Sequence, residues 1–293
     1  MLGEVVILIR KAVIPAAGLG TRLLPITKEM PKEMLPLFIK SSNGQIYLKS
    51  LLQLVFEQLY DIGFQRFCFI IGRGKRAIED HFTPDYECIE MLKNKGKENA
   101  AQDMKNFYKK IENSTIVWVN QPQPKGFGDA ILKAQSFVGD EPFLVHAGDT
   151  YIISNENKHL KDLIKFFEEL KSDIIFLIKK VEDARKYGVI EGKEISENIY
   201  EIKRVIEKPE KPPTNLAIMP VYIFHPVIFK AIEVTSPGVG GEIQLTDAIQ
   251  KIIDWKLKVY ALELNYNDIV LDIGSPETYW EALKLSYEYS IKE

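Results

Sequence analysis

Cysteine is scarce in this chain, with two in 293 residues, and neither Cys68 nor Cys88 sits in a Cys-x-x-Cys motif. The four histidines, His81, His146, His159 and His225, show no ligand spacing and read as structural or surface positions. These shortages speak against a disulfide scaffold and a structural zinc site, and both cysteines read as buried thiols of a reducing, cytoplasmic compartment. Charge of one sign is also lacking. Lys plus Arg number 38 against 41 Asp plus Glu, a net charge of -3, so the chain is not built to coat nucleic acid or an anionic lipid surface. Any anionic ligand must then be met by local cations. No run approaches the roughly 18 apolar residues of a membrane span. The apolar run at residues 5–9 is followed at once by Arg10 and Lys11, which puts the charge on the wrong side for a signal peptide. Residues 1–10 read as an N-terminal extension or a start codon placed too early.

What is present is an ordinary globular composition, 46% apolar and 27% charged, with neither repeats nor linker-like stretches. Residues 11–15 read as a short strand feeding a glycine-rich turn. Residues 47–62 carry Leu48, Leu51, Leu52, Val55, Phe56 and Leu59 at helical spacing. A strand at 66–71, a helix at 75–82, a strand at 115–119, a helix at 129–137 and a strand at 142–146 continue an alternation that builds a parallel sheet. Residues 86–110 read as a helical insertion with Cys88, Met91 and Leu92 on one side. A helix at 158–170 and a strand at 173–178 add one more unit.

Beyond that the pattern changes. Strand-like runs at 187–192, 199–207 and 216–224, separated by Gly, Pro and Asn, predict an antiparallel or mixed region. A helix at 242–255, strands at 259–264 and 268–272, and a last helix at 277–292 follow. Ser275 and Pro276 open that helix as cap and first residue. The expectation is one mixed α/β domain over 11–293, Rossmann-like, with a mostly parallel sheet flanked by helices, a smaller β-rich region and a C-terminal helix.

The turn Ala16-Ala-Gly-Leu-Gly-Thr-Arg22 follows its strand directly. Small residues there let backbone amides approach phosphate oxygens, and Arg22 can add a charge-assisted contact. A Walker A loop would need Gly-Lys-Ser/Thr, which is absent, and the dinucleotide fingerprint wants Gly or Ala where Leu23 stands. P-loop chemistry and NAD-dependent oxidoreduction both lose ground, and a ligand-free βα turn is the plain alternative. The continuation, residues 24–37, carries Pro25, Pro31 and Pro36 with Lys28 and Lys32. It reads as a rigid extended loop that positions cations.

The combination of these two segments resembles the bacterial-type UTP:glucose-1-phosphate uridylyltransferases within the sugar nucleotidyltransferases. Val13-Ile-Pro-Ala-Ala-Gly-Leu-Gly-Thr-Arg22, Lys32-Glu-Met-Leu-Pro36, Gln121 with Lys125-Gly-Phe-Gly128, Tyr187-Gly-Val189, Glu207-Lys-Pro209, Asn215-Leu-Ala217 and Glu242-Ile-Gln-Leu-Thr-Asp-Ala-Ile249 all agree with that family. The insertion also matches the uridylyltransferase branch. Three places depart from it: Gly148-Asp149 where the family has Pro-Asp, Asp129 where it often has His, and Ile273-Gly-Ser275 where it has Cys-Gly-Asn.

The resemblance implies a reaction, uridylyl transfer from UTP to glucose 1-phosphate with release of pyrophosphate, and a division of labour. Residues 11–150 would bind the nucleotide, 151–265 the sugar, and 266–293 would supply a second metal carboxylate and the C-terminal helix. Asp149 and Asp272 would bind Mg²⁺, and Arg22 and Lys32 would neutralise the triphosphate. Ala17, Gly18, Glu33, Gln121 and Gly126 would contact the base. Gln121 would offer one donor and one acceptor, and Gly126 would let the base lie close to the backbone. Lys208 would meet the sugar phosphate, with Gly188, Glu207 and Asn215 completing the sugar pocket. A homodimer or homotetramer is implied, with neither nucleic acid nor membrane as partner. The near rival is a glucose-1-phosphate thymidylyltransferase using dTTP. A rival of another class is a silent nucleotide-sugar-binding regulator, against which the joint presence of Asp149, Asp272, Lys32 and Lys208 speaks.

Overall fold

The computed structural model describes residues 9–41 and 44–292. The questions about residues 1–8 lie outside the described residues. Among the described residues thirteen strands occur in chain order: β1 Lys11–Pro15, β2 Pro36–Lys40, β3 Ile46–Ser50, β4 Arg66–Ile71, β5 Thr115–Asn120, β6 Phe143–His146, β7 Thr150–Ile153, β8 Ile174–Lys180, β9 Gly188–Ser196, β10 Ile199–Glu207, β11 Leu216–Phe224, β12 Val259–Glu263 and β13 Ile269–Asp272. The helices are α1 Leu51–Asp61, α2 Arg76–His81, α3 Tyr86–Asn94, α4 Glu98–Glu112, α5 Phe127–Leu132, α6 Gln135–Val138, α7 Lys158–Glu169, α8 Val227–Glu233, α9 Leu245–Asp254 and α10 Pro276–Lys292.

Nine strands form one sheet in the order β5-β4-β1-β6-β11-β8-β12-β10-β9. β5, β4, β1 and β6 run parallel, as expected of strands that read as continuous apolar runs because both faces are covered. Alternation along β1 sends Ala12 and Ile14 to one core and Val13 to the other, and β4 does the same with Phe67 and Phe69 against Cys68 and Ile70. The first core is closed by α1, α4 and α7 and the second by α5, α8 and α9. The fold is thus the mixed α/β sandwich expected, with α10 at its end. The antiparallel character enters with β11, which opposes both β6 and β8. The β-rich region is the far end of the same sheet, where the long strands β9 and β10 pair antiparallel.

Several boundaries differ from the sequence reading. Residues 46–50 are strand, paired antiparallel with β2, and α1 starts only at Leu51. There Ser50 Oγ accepts from the Gln53 amide at 3.3 Å and caps the helix. Leu48 fitted the helical period by chance and lies exposed on the hairpin. Residues 24–37 are not extended throughout but contain short 3-10 turns at Ile26–Lys28 and Lys32–Met34 before β2 begins. The insertion is two helices, broken at Gly96, whose φ of 69° is a left-handed turn conformation. Its buried residue in α3 is Ile89, while Met91 is exposed and Cys88 only half-buried. Residues 129–137 divide into α5 and α6. The cap at Ser275 is as expected, its hydroxyl accepting from the Thr278 amide at 3.3 Å.

Candidate active site

The C-terminal ends of β1, β5 and β6 open onto a cavity of about 330 Å³, which Pro15, Gln121 and Asp149 help to line, where open α/β sheets bind ligands. Its wall begins with the glycine-rich turn. Gly20 stands at φ 64°, and the Thr27 hydroxyl donates to its carbonyl at 2.8 Å, so the turn is locked by the first residues of the proline-rich loop. Gly72, at the end of β4, lies so close that a Cβ would sit 3.1 Å from the Ala17 carbonyl oxygen. Ala17, Gly18, Lys32, Glu33, Gln121, Gly126 and Asp149 all line this one cavity. Residues expected to meet a nucleotide, drawn from separate stretches of chain, therefore converge.

The proline-rich loop turns inward at Lys32–Met34. Lys32 Nζ donates to Asp149 Oδ2. Burial alone would push the Lys32 ammonium down, but Asp149 and Glu33 outweigh it and hold its pKa above the usual range. Burial likewise opposes ionisation of Asp149, and the Lys32 charge and hydrogen bond overcome it, so its pKa is lowered. Glu33 points the other way, into a buried ion pair with Lys75 at 2.7 Å. Burial raises the Glu33 pKa against the pull of Lys75 and Lys32. Its carboxylate is thus held by Lys75, a residue the sequence reading passed over.

Asp272 arrives by a route invisible to local pattern. β7, which directly follows Asp149, pairs antiparallel with β13, with Asp272 opposite Thr150, and the Ile273 amide donates to the Asp149 carbonyl at 3.0 Å. Two strand ends therefore bring both carboxylates together. Burial, and then the charge of Asp149, raise the Asp272 pKa, while Lys32 and Arg22 lower it. Two carboxylates that repel each other and are balanced by nearby cations are a donor set suited to Mg²⁺, which takes one or two protein carboxylates and completes its shell with phosphate oxygens and water. Arg22 is exposed and outside the cavity lining; its guanidinium lies on the Asp272 side, 3.5 Å from where a Cβ on Gly274 would stand.

Gln121 follows β5, and its amide nitrogen donates to Asp129 Oδ2 at 2.7 Å and to the Gly126 carbonyl at 3.2 Å. This corrects the expected donor-and-acceptor role: both amide protons already have protein partners, and only the oxygen remains for a ligand. Gly126 is also explained differently. At φ 103°, its Cβ would lie 2.8 Å from Glu242 Cβ and 2.9 Å from the Ile243 backbone, so the glycine is required by packing of one loop against another. Glu242, which also lines the cavity, comes with that loop.

The proposed sugar residues gather along β9, β10 and α9. Gly188 is opposite Glu207 in the ladder. Glu207 Oε2 accepts from the Thr246 hydroxyl at 2.6 Å, and its Oε1 is 3.2 Å from Lys208 Nζ. A Cβ on Gly188 would lie 3.1 Å from Thr246 Oγ1 and 3.2 Å from Glu207 Oε2. Thr246 was missed, although it sits in the quoted stretch 242–249; a hydroxyl one residue into α9 was the available signal. Asn215 is exposed, just before β11, where Ala217 pairs with Val189. Tyr187, beside Gly188, has its pKa raised by burial and by the charges of Asp272 and Asp183. Among the described residues no helix is long and apolar enough to cross a membrane.

A parallel-sheet cavity with a glycine-rich turn, paired carboxylates and converging lysines defines a nucleotide-handling α/β protein. The nucleotidyl transferase family model matches residues 11–288, and the chain belongs to that family. A UTP--glucose-1-phosphate uridylyltransferase of Pseudomonas aeruginosa is 38% identical over 286 residues, covering 96% of this chain and 97% of that protein. One from Bacillus subtilis is 42% identical over 248 residues, 83% of this chain and 80% of its own. A solved UDP-glucose pyrophosphorylase complexed with UDP-glucose superposes with a TM-score of 0.82 at 37% identity, covering 97% of this chain and all of that one.

Proposed function

We propose that the protein transfers a uridylyl group from UTP to glucose 1-phosphate, giving UDP-glucose and pyrophosphate. The observation that carries this reading is the convergence of Lys32 and Asp149 on the lining of one cavity, with Asp272 brought beside Asp149 by the β7–β13 ladder and Glu207 and Lys208 at the end of β10. The near full-length relatives of that activity support it over a dTTP-using thymidylyltransferase.

The difficulty of the reaction is electrostatic, since a sugar phosphate must approach the α-phosphorus of a polyanion. Lys32 and Arg22 neutralise the triphosphate and the departing pyrophosphate, the glycine-rich turn offers backbone amides to the phosphates, and its Ala17 and Gly18 contact the base together with Glu33 and Gly126. Lys208 meets the sugar phosphate. Glu207, oriented by Thr246, accepts from sugar hydroxyls, with Gly188 and Asn215 bounding the pocket. Gln121 accepts from the base. Asp149 and Asp272 would hold Mg²⁺, which supplies charge neutralisation where the two phosphates meet. Positioning and charge do the work, so the assignment needs no general base. The free thiols Cys68 and Cys88 suit the cytoplasm, and exposed Trp280, Tyr287 and Ile291 on α10 offer a surface on which a homodimer or homotetramer could close.

The test is pyrophosphate release with glucose 1-phosphate and each of UTP, dTTP, ATP, CTP and GTP. Preference for UTP is the expected result, and comparable turnover with ATP would overturn the reading. Lys208→Ala should raise the KM for glucose 1-phosphate far more than that for UTP, the loss of a charge-assisted bond being worth roughly 1.5–3 kcal/mol.

A further inference from the structure

The Gln121 amide cannot reverse. A primary amide presents two N–H donors on one side and an acceptor on the other. Here the nitrogen faces Asp129 Oδ2 at 2.7 Å and the Gly126 carbonyl at 3.2 Å. A carboxylate oxygen and a peptide oxygen are acceptors only. Turning the amide over would set its oxygen against both and leave three acceptors facing one another in a buried place, Gln121 and Asp129 being 5% and 7% exposed. Lys133, just past the end of α5, lies 3.3 Å from the other oxygen, Asp129 Oδ1, and keeps the carboxylate paired. None of the described residues donates to Gln121 Oε1, and Gln121 lines the nucleotide cavity.

We infer that Asp129 is a positioning residue that sets base specificity, by locking Gln121 so that the cavity meets an acceptor and never a donor at that point. An acceptor complements the ring N3–H shared by uracil and thymine. Cytosine carries a lone pair at the same ring position, so it meets Gln121 acceptor to acceptor. Discrimination of UTP from CTP thus depends on a side chain that does not touch the nucleotide. The inference rests on the uridylyl-transfer reading and deepens it; it leaves the choice between UTP and dTTP to other contacts, because both bases keep the N3–H.

The experiment compares kcat/KM for UTP and CTP with glucose 1-phosphate in the unmodified protein, Asp129→Asn and Asp129→Glu. The Asp129→Asn side chain can turn its own amide to donate to Gln121 Oε1, which lets Gln121 reverse and offer N–H to the cavity. The UTP:CTP ratio of kcat/KM should fall tenfold or more, on the order expected when a specifying hydrogen bond loses its polarity. Asp129→Glu keeps the acceptor and should retain most of the ratio. Asp129→Ala, which only frees the amide, serves as a second test if Asp129→Asn does not fold, and should lower the ratio in the same direction. A merely structural role would reduce turnover with UTP and CTP alike and leave the ratio where it was; that outcome overturns the inference. If the unmodified protein fails to turn over UTP, the uridylyl-transfer reading itself falls, which is a separate result.

Discussion

Glu33 and Lys75 form the most deeply buried ion pair near the site, with side chains 1% and 7% exposed. Desolvating both charges is costly, so the pair is not primarily a source of stability. Its consequence is geometric: it anchors one side of the 3-10 turn whose other side presents Lys32 to Asp149. Lys75→Met leaves a buried carboxylate alone and should destabilise the fold by about 3–5 kcal/mol, measured by urea unfolding. The double variant Glu33→Gln/Lys75→Met removes both charges and should recover much of that loss. If the double variant is as unstable as the single one, the pair is not the cause. Gly126 offers a second test at this scale. Gly126→Ala forces a Cβ at a left-handed φ into Glu242 Cβ and the Ile243 backbone. About 1–3 kcal/mol of strain is expected, and the KM for UTP should rise because the Gly126 carbonyl that holds Gln121 must move. An unchanged KM would mean that the loop adapts without disturbing the base site.

Among the elements, the parallel strands β1, β4 and β6 and the long helices were legible because a strand buried on both faces is a continuous apolar run, and a helix over a sheet shows a clear stripe. The hairpin β2–β3 was not, since Leu48 and Leu51 fell on one helical period and only the pairing with β2 decides between strand and helix. β7 was missed for the same kind of reason: four residues carry too little pattern, and its partner β13 is more than a hundred residues away in sequence. Yet this small ladder is what joins Asp149 to Asp272. Positions of both carboxylates were readable from family motifs, whereas their proximity depends on a non-local pairing. The two should therefore behave as a unit. Asp149→Asn and Asp272→Asn should each lower kcat by several kcal/mol of transition-state stabilisation and shift the Mg²⁺ requirement upward, while the double variant is little worse than the poorer single. Fully additive losses in kcat would mean that the carboxylates do not share an ion.

For the whole molecule, the proposed labour divides along the sheet: parallel strands carry the cavity proposed for the nucleotide, and the antiparallel end carries the proposed sugar residues. At the end of the strand between them lies an unusual interior. His146 closes β6 with its Nδ1–H donating to the Ala147 carbonyl at 2.9 Å, so its Nε2 is bare, and no described residue pairs with it. His159 on α7 is buried with neither ring nitrogen paired. Burial pushes the His146 pKa down to about 4 and the His159 pKa to about 3, the latter helped by His146. In the unfolded chain both would titrate near 6.5. Between those values the unfolded state binds more protons than the folded one, so stability rises with pH and is complete only above about 6.5. Each ring can contribute a slope of up to about 1.4 kcal/mol per pH unit inside its window. Glu33 and Asp272, with raised pKa values, act in the opposite sense, because their protonation in the folded state recovers stability as pH falls. The histidine contribution is isolated by comparing the unmodified protein with His159→Leu, which fills the same space without a titrating ring. The urea midpoint of the unmodified protein should fall steadily from pH 7 to pH 5, and that of His159→Leu should fall distinctly less. Parallel curves for the two proteins would show that His159 is not held neutral by the fold.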